Sequence, residues 1–559
     1  MSMRSEPANM AEFLREKAVA LPNKRALVFP WGRDGAGRVA YTQMTFSQLE
    51  TETDRYAHGF SRIGIVPGMR VALMLTPSLE FFATTYALWK LGAVIVLIDP
   101  GVGLKNLGIC LAEAAPEAFI GVTKAQVARV LLRWAPASIR ILVTHGRRLF
   151  WGGHTLLDLR NEGKPFPVAP TTTEDTAAIM FTSGSTGVSK GAVYTHGILT
   201  NQVRYIQQLY RFGPEDVDLA TFPLFALFDT ALGMTTIIPD MDATRPAEAD
   251  PKKLIEAIEN HAATVMFGSP ALINTLSRYG TAHGIRLPTL KTVISCGAPA
   301  RNDVLKRFHE MLSETAEIFT PYGATEALPV SSIGSREILE ETRHETDRGG
   351  GTCIGMPDPH VEVAIIKISD GPIECWSDDL RLAPGQIGEI AVKGPIVTRS
   401  YFQREEATKL AKIFERTTSP EITGGVWHRM GDVGRIDAKG RLWFCGRKSH
   451  RVVTSEGPLF TIPCEAVFNR HEQVYRTALV GVGELGYQIP VLWVELEKSV
   501  LNPDHQKISR ELAVLGAEFQ HSRPIEKFLF HPGFPVDVRH NAKIGREQLS
   551  ILAAEKLAR

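Results

Sequence analysis

Residues Ala177–Gly191 read AAIMFTSGSTGVSKG. The apolar run Ala177–Phe181 has the length and composition of a buried strand. It passes without a break into Thr182, Ser183, Gly184, Ser185, Thr186, Gly187, Val188, Ser189 and Lys190. Glycines let a backbone come close to an anion, and hydroxyls and free N–H groups can ring phosphate oxygens. Lys190 adds a compact positive charge for the same group. The spacing differs from a P-loop, in which two glycines separated by four residues precede Lys-Ser/Thr. A kinase-type or GTPase-type site is therefore disfavoured.

Working outward, strand-like runs alternate with amphipathic helical stretches. The runs include RVALML (Arg70–Leu75), VIVLI (Val94–Ile98), TVMF (Thr264–Phe267) and KTVIS (Lys291–Ser295), and PKKLIEAIENH (Pro251–His261) is helical in pattern. This alternation predicts α/β architecture with largely parallel, doubly wound sheets. From Gly355 to Tyr401 the texture changes to short strands and Gly/Pro turns, as in PGQIGEIAVK (Pro384–Lys393), which predicts a β-rich subdomain. After Gly446 a new α/β segment begins, with strands near Arg476–Val482 and Val491–Leu496 and a helix near Ile508–Leu515. At 559 residues the chain exceeds one compact core and implies one large domain and one small.

The 62 basic and 61 acidic residues leave a formal charge of +1, which gives no basis for wholesale binding of nucleic acid or an anionic membrane. Cys110, Cys296, Cys353, Cys375, Cys445 and Cys464 lie far apart without metal-ligand or redox spacing, the usage expected of reduced intracellular cysteines. The first residues lack an apolar signal core. The apolar stretch Ala83–Ile98 is broken by Lys90 and Gly92 and is too short to span a bilayer. A soluble cytoplasmic enzyme without an integral membrane segment is expected.

Further motifs follow the loop in order: Cys296-Gly297-Ala298-Pro299, Tyr322-Gly323-Ala324-Thr325-Glu326, Trp427–Asp432 (WHRMGD), Cys445-Gly446-Arg447, and Arg539–Arg546 (RHNAKIGR). Singly, Asp432 reads as a turn residue, Glu326 as a helix-start carboxylate and Lys543 as a solvated charge. Together with the loop they resemble the adenylate-forming superfamily of acyl-CoA synthetases, luciferases and peptide-synthetase adenylation domains. The resemblance implies ATP and Mg²⁺ as cofactors and a carboxylic acid activated as its acyl-adenylate. It implies that the 182–190 loop holds phosphate, that Gly297, Ala298 and Pro299 border the adenine, and that the Tyr322 ring lies along it beside Gly323. Thr325 would hydrogen-bond the α-phosphate, Glu326 would ligate Mg²⁺, Asp432 would bind the ribose hydroxyls and Arg447 would contact nucleotide. Lys543 would stabilise charge as the adenylate forms. Residues 1–446 would form the adenylate-forming domain and residues 447–559 a C-terminal lid, hinged at Ser449. Ser189, where relatives carry proline, is expected to loosen the loop.

Other departures point to a branch of the superfamily. In Phe222–Asp229 (FPLFALFD) the usual histidine is Ala226, and Ser449 and Val452–Thr454 lack the hinge residues common in thioester-forming relatives. That stretch, with IPDMDATRPAEAD (Ile238–Asp250), LWFCGRKSHR (Leu442–Arg451) and FPVDVRHNAKIGREQL (Phe534–Leu549), resembles the olefin β-lactone synthetases of bacterial long-chain hydrocarbon biosynthesis. The resemblance implies a 2-alkyl-3-hydroxy fatty acid, closed to a β-lactone by its own hydroxyl, and other enzymes of that pathway as candidate partners. Phe225, Ala226 and Leu227 would line the acyl pocket, with Ala226 making room for the branch. A long-chain acyl-CoA synthetase or fatty acyl-AMP ligase is the rival reading, and a catalytically weak nucleotide-binding protein a third.

Asp229 lies in an apolar run and reads either as the N-cap of a helix starting at Thr230 or as a base of raised pKa accepting the 3-hydroxyl proton. The stretch VTHGRRLFWG (Val143–Gly152) reads as a surface loop with a packed Trp151, or as a basic-aromatic patch for a partner or lipid headgroups.

Overall fold

The computed structural model describes residues 8–160, 163–182, 189–416, 424–536 and 544–558. The predicted α/β alternation forms two sheets. In the first, seven strands run in the order 154–155, 141–145, 118–122, 70–74, 94–98, 176–182 and 190–195, parallel except for the last. In the second, nine strands include the parallel set 235–237, 217–220, 265–267, 292–294 and 317–324, continued antiparallel by 327–334. The helices Phe46–Arg62, Leu79–Leu91, His196–Tyr210 and Pro223–Leu232 lie against these sheets in one shared apolar core.

Helix Leu79–Leu91 shows why that core holds. Ser78 caps its first turn, Gly92 ends it in the left-handed conformation at φ 74°, and nearly every side chain between is buried. The Trp89 indole donates to the Ala177 carbonyl at 3.3 Å and the Tyr86 hydroxyl to the Leu227 carbonyl at 2.8 Å. The helix thus joins the phosphate-loop strand to the helix that carries Ala226. Lys90, which interrupts the apolar stretch, is fully buried with Glu50 and Asp54 each 2.6 Å away. Among the described residues no helix is long and apolar enough to cross a membrane.

The β-rich subdomain is larger than its sequence texture implies. Its six-stranded sheet takes in Thr352–Cys353, Glu362–Ile366, Gly388–Lys393, Lys412–Phe414, Val426–Ile436 and Leu442–Arg447. It therefore extends past Tyr401 to Arg447, because strands 352–353 and 442–447, distant in sequence, pair with each other. Beyond Arg447, a small domain sets helices against the strands Val474–Val482, Ile489–Leu496 and Lys527–Phe530, with its own apolar cores. None of the six cysteines is in a disulfide.

Inside the small domain Glu465 is 5% exposed and accepts from the Leu479 amide at 2.7 Å and from Arg546 Nη2 at 3.0 Å. Arg546 begins the last helix, Arg546–Leu557, so this pair seats the helix against strand 474–482. Removing one member of a buried ion pair leaves the other uncompensated. Glu465→Ala is expected to lower the stability of this domain by about 3–5 kcal/mol. Urea unfolding followed by hydrogen exchange over residues 447–558 measures it, and an unchanged midpoint there would refute the role given to Glu465.

Candidate active site

Thr325 and Glu326 form the two-residue turn of the hairpin made by Glu317–Ala324 and Ala327–Gly334, with Ala324 and Ala327 in register across it. Glu326 is therefore a hairpin-tip residue and not the start of a helix. Gly323 is required beneath the tip, because a Cβ there would stand 2.7 Å from the Leu328 side chain and 2.8 Å from the Ala327 carbonyl oxygen. The Tyr194 hydroxyl donates to the Thr325 carbonyl. Thr398 donates to the Glu326 carbonyl from its N–H at 2.9 Å and its hydroxyl at 3.2 Å, and the Tyr401 hydroxyl donates to Glu326 Oε1 at 2.5 Å.

The same hairpin brings Tyr322 to Asp432. The phenol donates to Asp432 Oδ2 at 2.7 Å, and Arg447 Nη1 lies 2.9 Å from Asp432 Oδ1. Asp432 belongs to strand Val426–Ile436, and not to a turn, and is in register with Arg447 on the adjacent strand. Burial, with the Asp432 charge beside it, holds the Tyr322 phenol well above its ordinary pKa. Gly297 follows strand Thr292–Ile294 at φ 96°, a conformation that suits glycine, and leads into half-buried Ala298 and exposed Pro299.

Thr182 and Lys190, the ends of the phosphate loop, are register partners of antiparallel strands. Ser183, Gly184, Ser185, Thr186 and Gly187 lie outside the described residues, as does Lys543. Ser189 is 4% exposed and hydrogen-bonds Cys110. Ser189 thus anchors the loop's stem at the position where the absence of proline predicts loosening. The Lys190 ammonium is 5.2 Å from the centre of the Tyr401 ring, on whose hydroxyl Glu326 depends. Two further buried groups stand nearby. Burial lowers the Lys412 ammonium to about 7, against the opposing pull of Glu326, and burial with Lys412 beside it holds the His428 imidazole well below its usual range.

On the acyl side, Pro223 with its fixed φ starts the helix Pro223–Leu232. Asp229 is accordingly in the body of that helix, and its reading as the N-cap of a helix from Thr230 is wrong. Ala226 and Leu227 are buried, while Phe225 is half-buried with its ring 4.9 Å from that of Phe267. The Asp229 carboxylate accepts from Thr236 Oγ1 at 3.1 Å and hydrogen-bonds Asp218 of strand Val217–Ala220. Both are 2% exposed. Burial raises Asp218 from 3.8 to about 7, and burial with Asp218 alongside raises Asp229 well above the carboxylate range. Asp218, Tyr194, Thr398, Tyr401 and Lys412 were not singled out in the sequence. A carboxylate in the strand pattern VDLA was the one usable signal. In the 143–152 loop, Trp151 Nε1 donates to Thr144 Oγ1 at 3.0 Å while Phe150 stays 77% exposed.

A glycine-rich loop stem, a Thr-Glu hairpin tip and a buried aspartate beside an arginine are the parts of an enzyme that activates acids with ATP. The chain belongs to the AMP-binding enzyme family, which it matches over residues 14–402. It is an ATP-dependent adenylate-forming ligase. It is 48% identical over 551 residues, 98% of each chain, to an olefin beta-lactone synthetase of Xanthomonas campestris pv. campestris. It is 49% identical over 558 residues, 99% of each chain, to an olefin beta-lactone synthetase of Stenotrophomonas maltophilia. Its fold matches that of an amide bond synthetase from Marinactinospora thermotolerans at a TM-score of 0.76 and 21% identity, covering 97% of this chain and 99% of the other.

The buried carboxyl pair gives the folded state a pH signature. With Asp218 raised from 3.8 to about 7, the folded chain holds a proton that the unfolded chain releases. Stability from this source is complete below about pH 4 and is lost as pH rises through about 7. Asp218→Asn and Asp229→Asn should each flatten the fall in thermal midpoint over that window. An unaltered slope in both variants would mean that the carboxyls do not share a proton.

Proposed function

We propose that this enzyme is an olefin β-lactone synthetase acting on a 2-alkyl-3-hydroxy long-chain fatty acid. The observation that carries this reading is the 48–49% identity to two such enzymes over 98–99% of the chain. ATP and the acid are its substrates. Lys543 would stabilise negative charge as the carboxylate attacks the α-phosphorus, an interaction of use only in the transition state. Thr325 would hold the α-phosphate, Lys190 and the 182–190 loop the leaving phosphates, and Asp432 with Arg447 the ribose side of the nucleotide.

Magnesium fits the donors available. Among the described residues no three His, Cys, Asp or Glu side chains cluster as a cage, whereas Glu326 presents one half-buried carboxylate at a hairpin tip. Mg²⁺ is commonly held by one or two carboxylates with the remaining positions filled by phosphate oxygens and water. Glu326 would hold it, and when bound the ion neutralises charge on the pyrophosphate leaving group.

In the second step the 3-hydroxyl oxygen attacks the carbonyl carbon of the adenylate. A new carbon–oxygen bond closes the four-membered ring as the bond from the carbonyl carbon to the phosphate oxygen breaks, and AMP leaves. The hydroxyl proton passes to the Asp218–Asp229 pair, which supports a base role for Asp229 only jointly, since its own carboxyl is the one held higher. No external nucleophile is needed, because the hydroxyl is held within the same molecule. We place the division between the large domain and a mobile lid at Ser449, the enzyme in the cytoplasm, and other enzymes of hydrocarbon biosynthesis among its partners.

The test is product analysis by mass spectrometry. A 2-alkyl-3-hydroxy acid with ATP and Mg²⁺, without CoA, should give AMP, pyrophosphate and a β-lactone, while the 3-deoxy acid should stall at bound acyl-adenylate. Lys543→Ala should bind ATP but lose adenylate formation by about 10²–10³-fold, as removal of one transition-state donor does. Product that forms only on addition of CoA, as a thioester, would make the enzyme an acyl-CoA synthetase instead.

A further inference from the structure

Lys412 follows the helix Glu405–Ala411 and opens the strand Lys412–Phe414, with its side chain sealed at 1% exposure. A buried ammonium is costly, and a methionine of similar length would fill the same space without that cost. Among the described residues its hydrogen bonds go to a single neighbour. Lys412 Nζ donates to the Thr398 carbonyl and, at 3.1 Å, to Thr398 Oγ1. Thr398 is itself fully buried, and its N–H and hydroxyl both donate to the Glu326 carbonyl, at 2.9 and 3.2 Å. Three residues on, the Tyr401 hydroxyl donates to the Glu326 carboxylate at 2.5 Å, and the ring of Tyr401 lies 6.0 Å from Lys412 Nζ.

One short segment, Thr398–Tyr401, therefore holds both the main chain and the carboxylate of Glu326, and Lys412 holds that segment. The charge has a reason in this arrangement. The Lys412 donor on Thr398 Oγ1, most strongly in its protonated form, polarises the threonine hydroxyl and strengthens its bond onward to Glu326. Without it the Thr398 carbonyl would be a buried acceptor short of a donor.

We propose that Lys412 is a positioning residue for Glu326, acting through Thr398 to fix the carboxylate where it meets a divalent cation on the pyrophosphate end of ATP. The inference rests on the reading of Glu326 as the cation's ligand. Lys412 touches neither nucleotide nor acid, and its effect is on how tightly the metal–nucleotide complex is held, not on binding of ATP alone.

Mn²⁺ serves as the probe, its free concentration read by electron paramagnetic resonance in the presence of ATP and the full-length protein. Lys412→Met and Thr398→Val should each weaken Mn²⁺–ATP binding by about tenfold, the usual consequence of losing an outer partner of a metal ligand. ATP binding in EDTA should be unchanged. Lys412→Arg should retain most of the affinity, and the Lys412→Met, Thr398→Val double variant should be no weaker than either single variant, as residues on one path are. Lys412→Met with parental Mn²⁺–ATP affinity, while Glu326→Gln loses it, would reduce Lys412 to a packing role and overturn the inference alone. Parental affinity in Glu326→Gln would overturn the ligand assignment beneath it. If Lys412→Met fails to fold, Thr398→Val decides the matter by the same measurement, and parental affinity there refutes the proposal.

Discussion

The Tyr322 hydroxyl and the Arg447 guanidinium meet on Asp432, a carboxylate only 3% exposed. A charge so far out of water is tolerable only with partners, and these come from different parts of the chain: the hairpin of the nine-stranded sheet and the last strand of the six-stranded sheet. Tyr322 stands three residues before Thr325 in the same strand and turn, and a strand advances about 3.3 Å per residue. Fixing the phenol on Asp432 therefore fixes how far the Thr325–Glu326 tip projects between the sheets. Thr398 and Tyr401 hold the tip from its other side.

The same contact stands at the entrance to the small domain, because Arg447 is followed at once by the connecting turn Lys448–His450. Lys448 Nζ lies 2.9 Å from Glu389 Oε1 and donates to the Ser369 carbonyl at 2.9 Å. Glu389 is fully buried and also bonds Arg429 at 2.7 Å. On the far side of Ser449, Arg451 pairs with Asp370 at 2.5 Å, but the Asp370 side chain is 60% exposed. An exposed ion pair contributes about 0–1 kcal/mol, whereas a buried one cannot be opened without stranding a charge. At the hinge proposed for Ser449, rotation would open the weak anchor and keep the strong one.

Residues with a periodic or glycine-marked setting could be read from the sequence, and those defined by pairing could not. VIVLI at 94–98 and the helix Pro251–His261 have the bounds their patterns predict, since apolar periodicity and a proline start are local properties. The extent of the six-stranded sheet escaped because strand 352–353 finds its partner about ninety residues away at 442–447. Lys412 in AKIF and Asp218 in VDLA look like ordinary interruptions of an apolar pattern. Their meaning lies in Thr398 and Asp229, which only the folded chain brings to them. Asp229 stands out in the sequence as a carboxylate in an apolar run, but the start of its helix is set by Pro223 six residues earlier and not by Thr230.

An enzyme whose second nucleophile is already part of its substrate has different needs from one that must admit a thiol. It has to take a proton from a hydroxyl beside the adenylate, where stray water would hydrolyse the activated acid. A solvent-exposed base would bring that water with it. Asp218 and Asp229, the base proposed above, are buried together, with Thr236 donating to one of them, and the rings of Phe222 and Phe225 each pack on that of Phe267. Two carboxyls at hydrogen-bond distance in such a site cannot both stay ionised, and burial raises Asp218 to about 7 and Asp229 well above the carboxylate range. In the proposed role, such a pair would accept the hydroxyl proton away from solvent, and it would require no room for a third substrate.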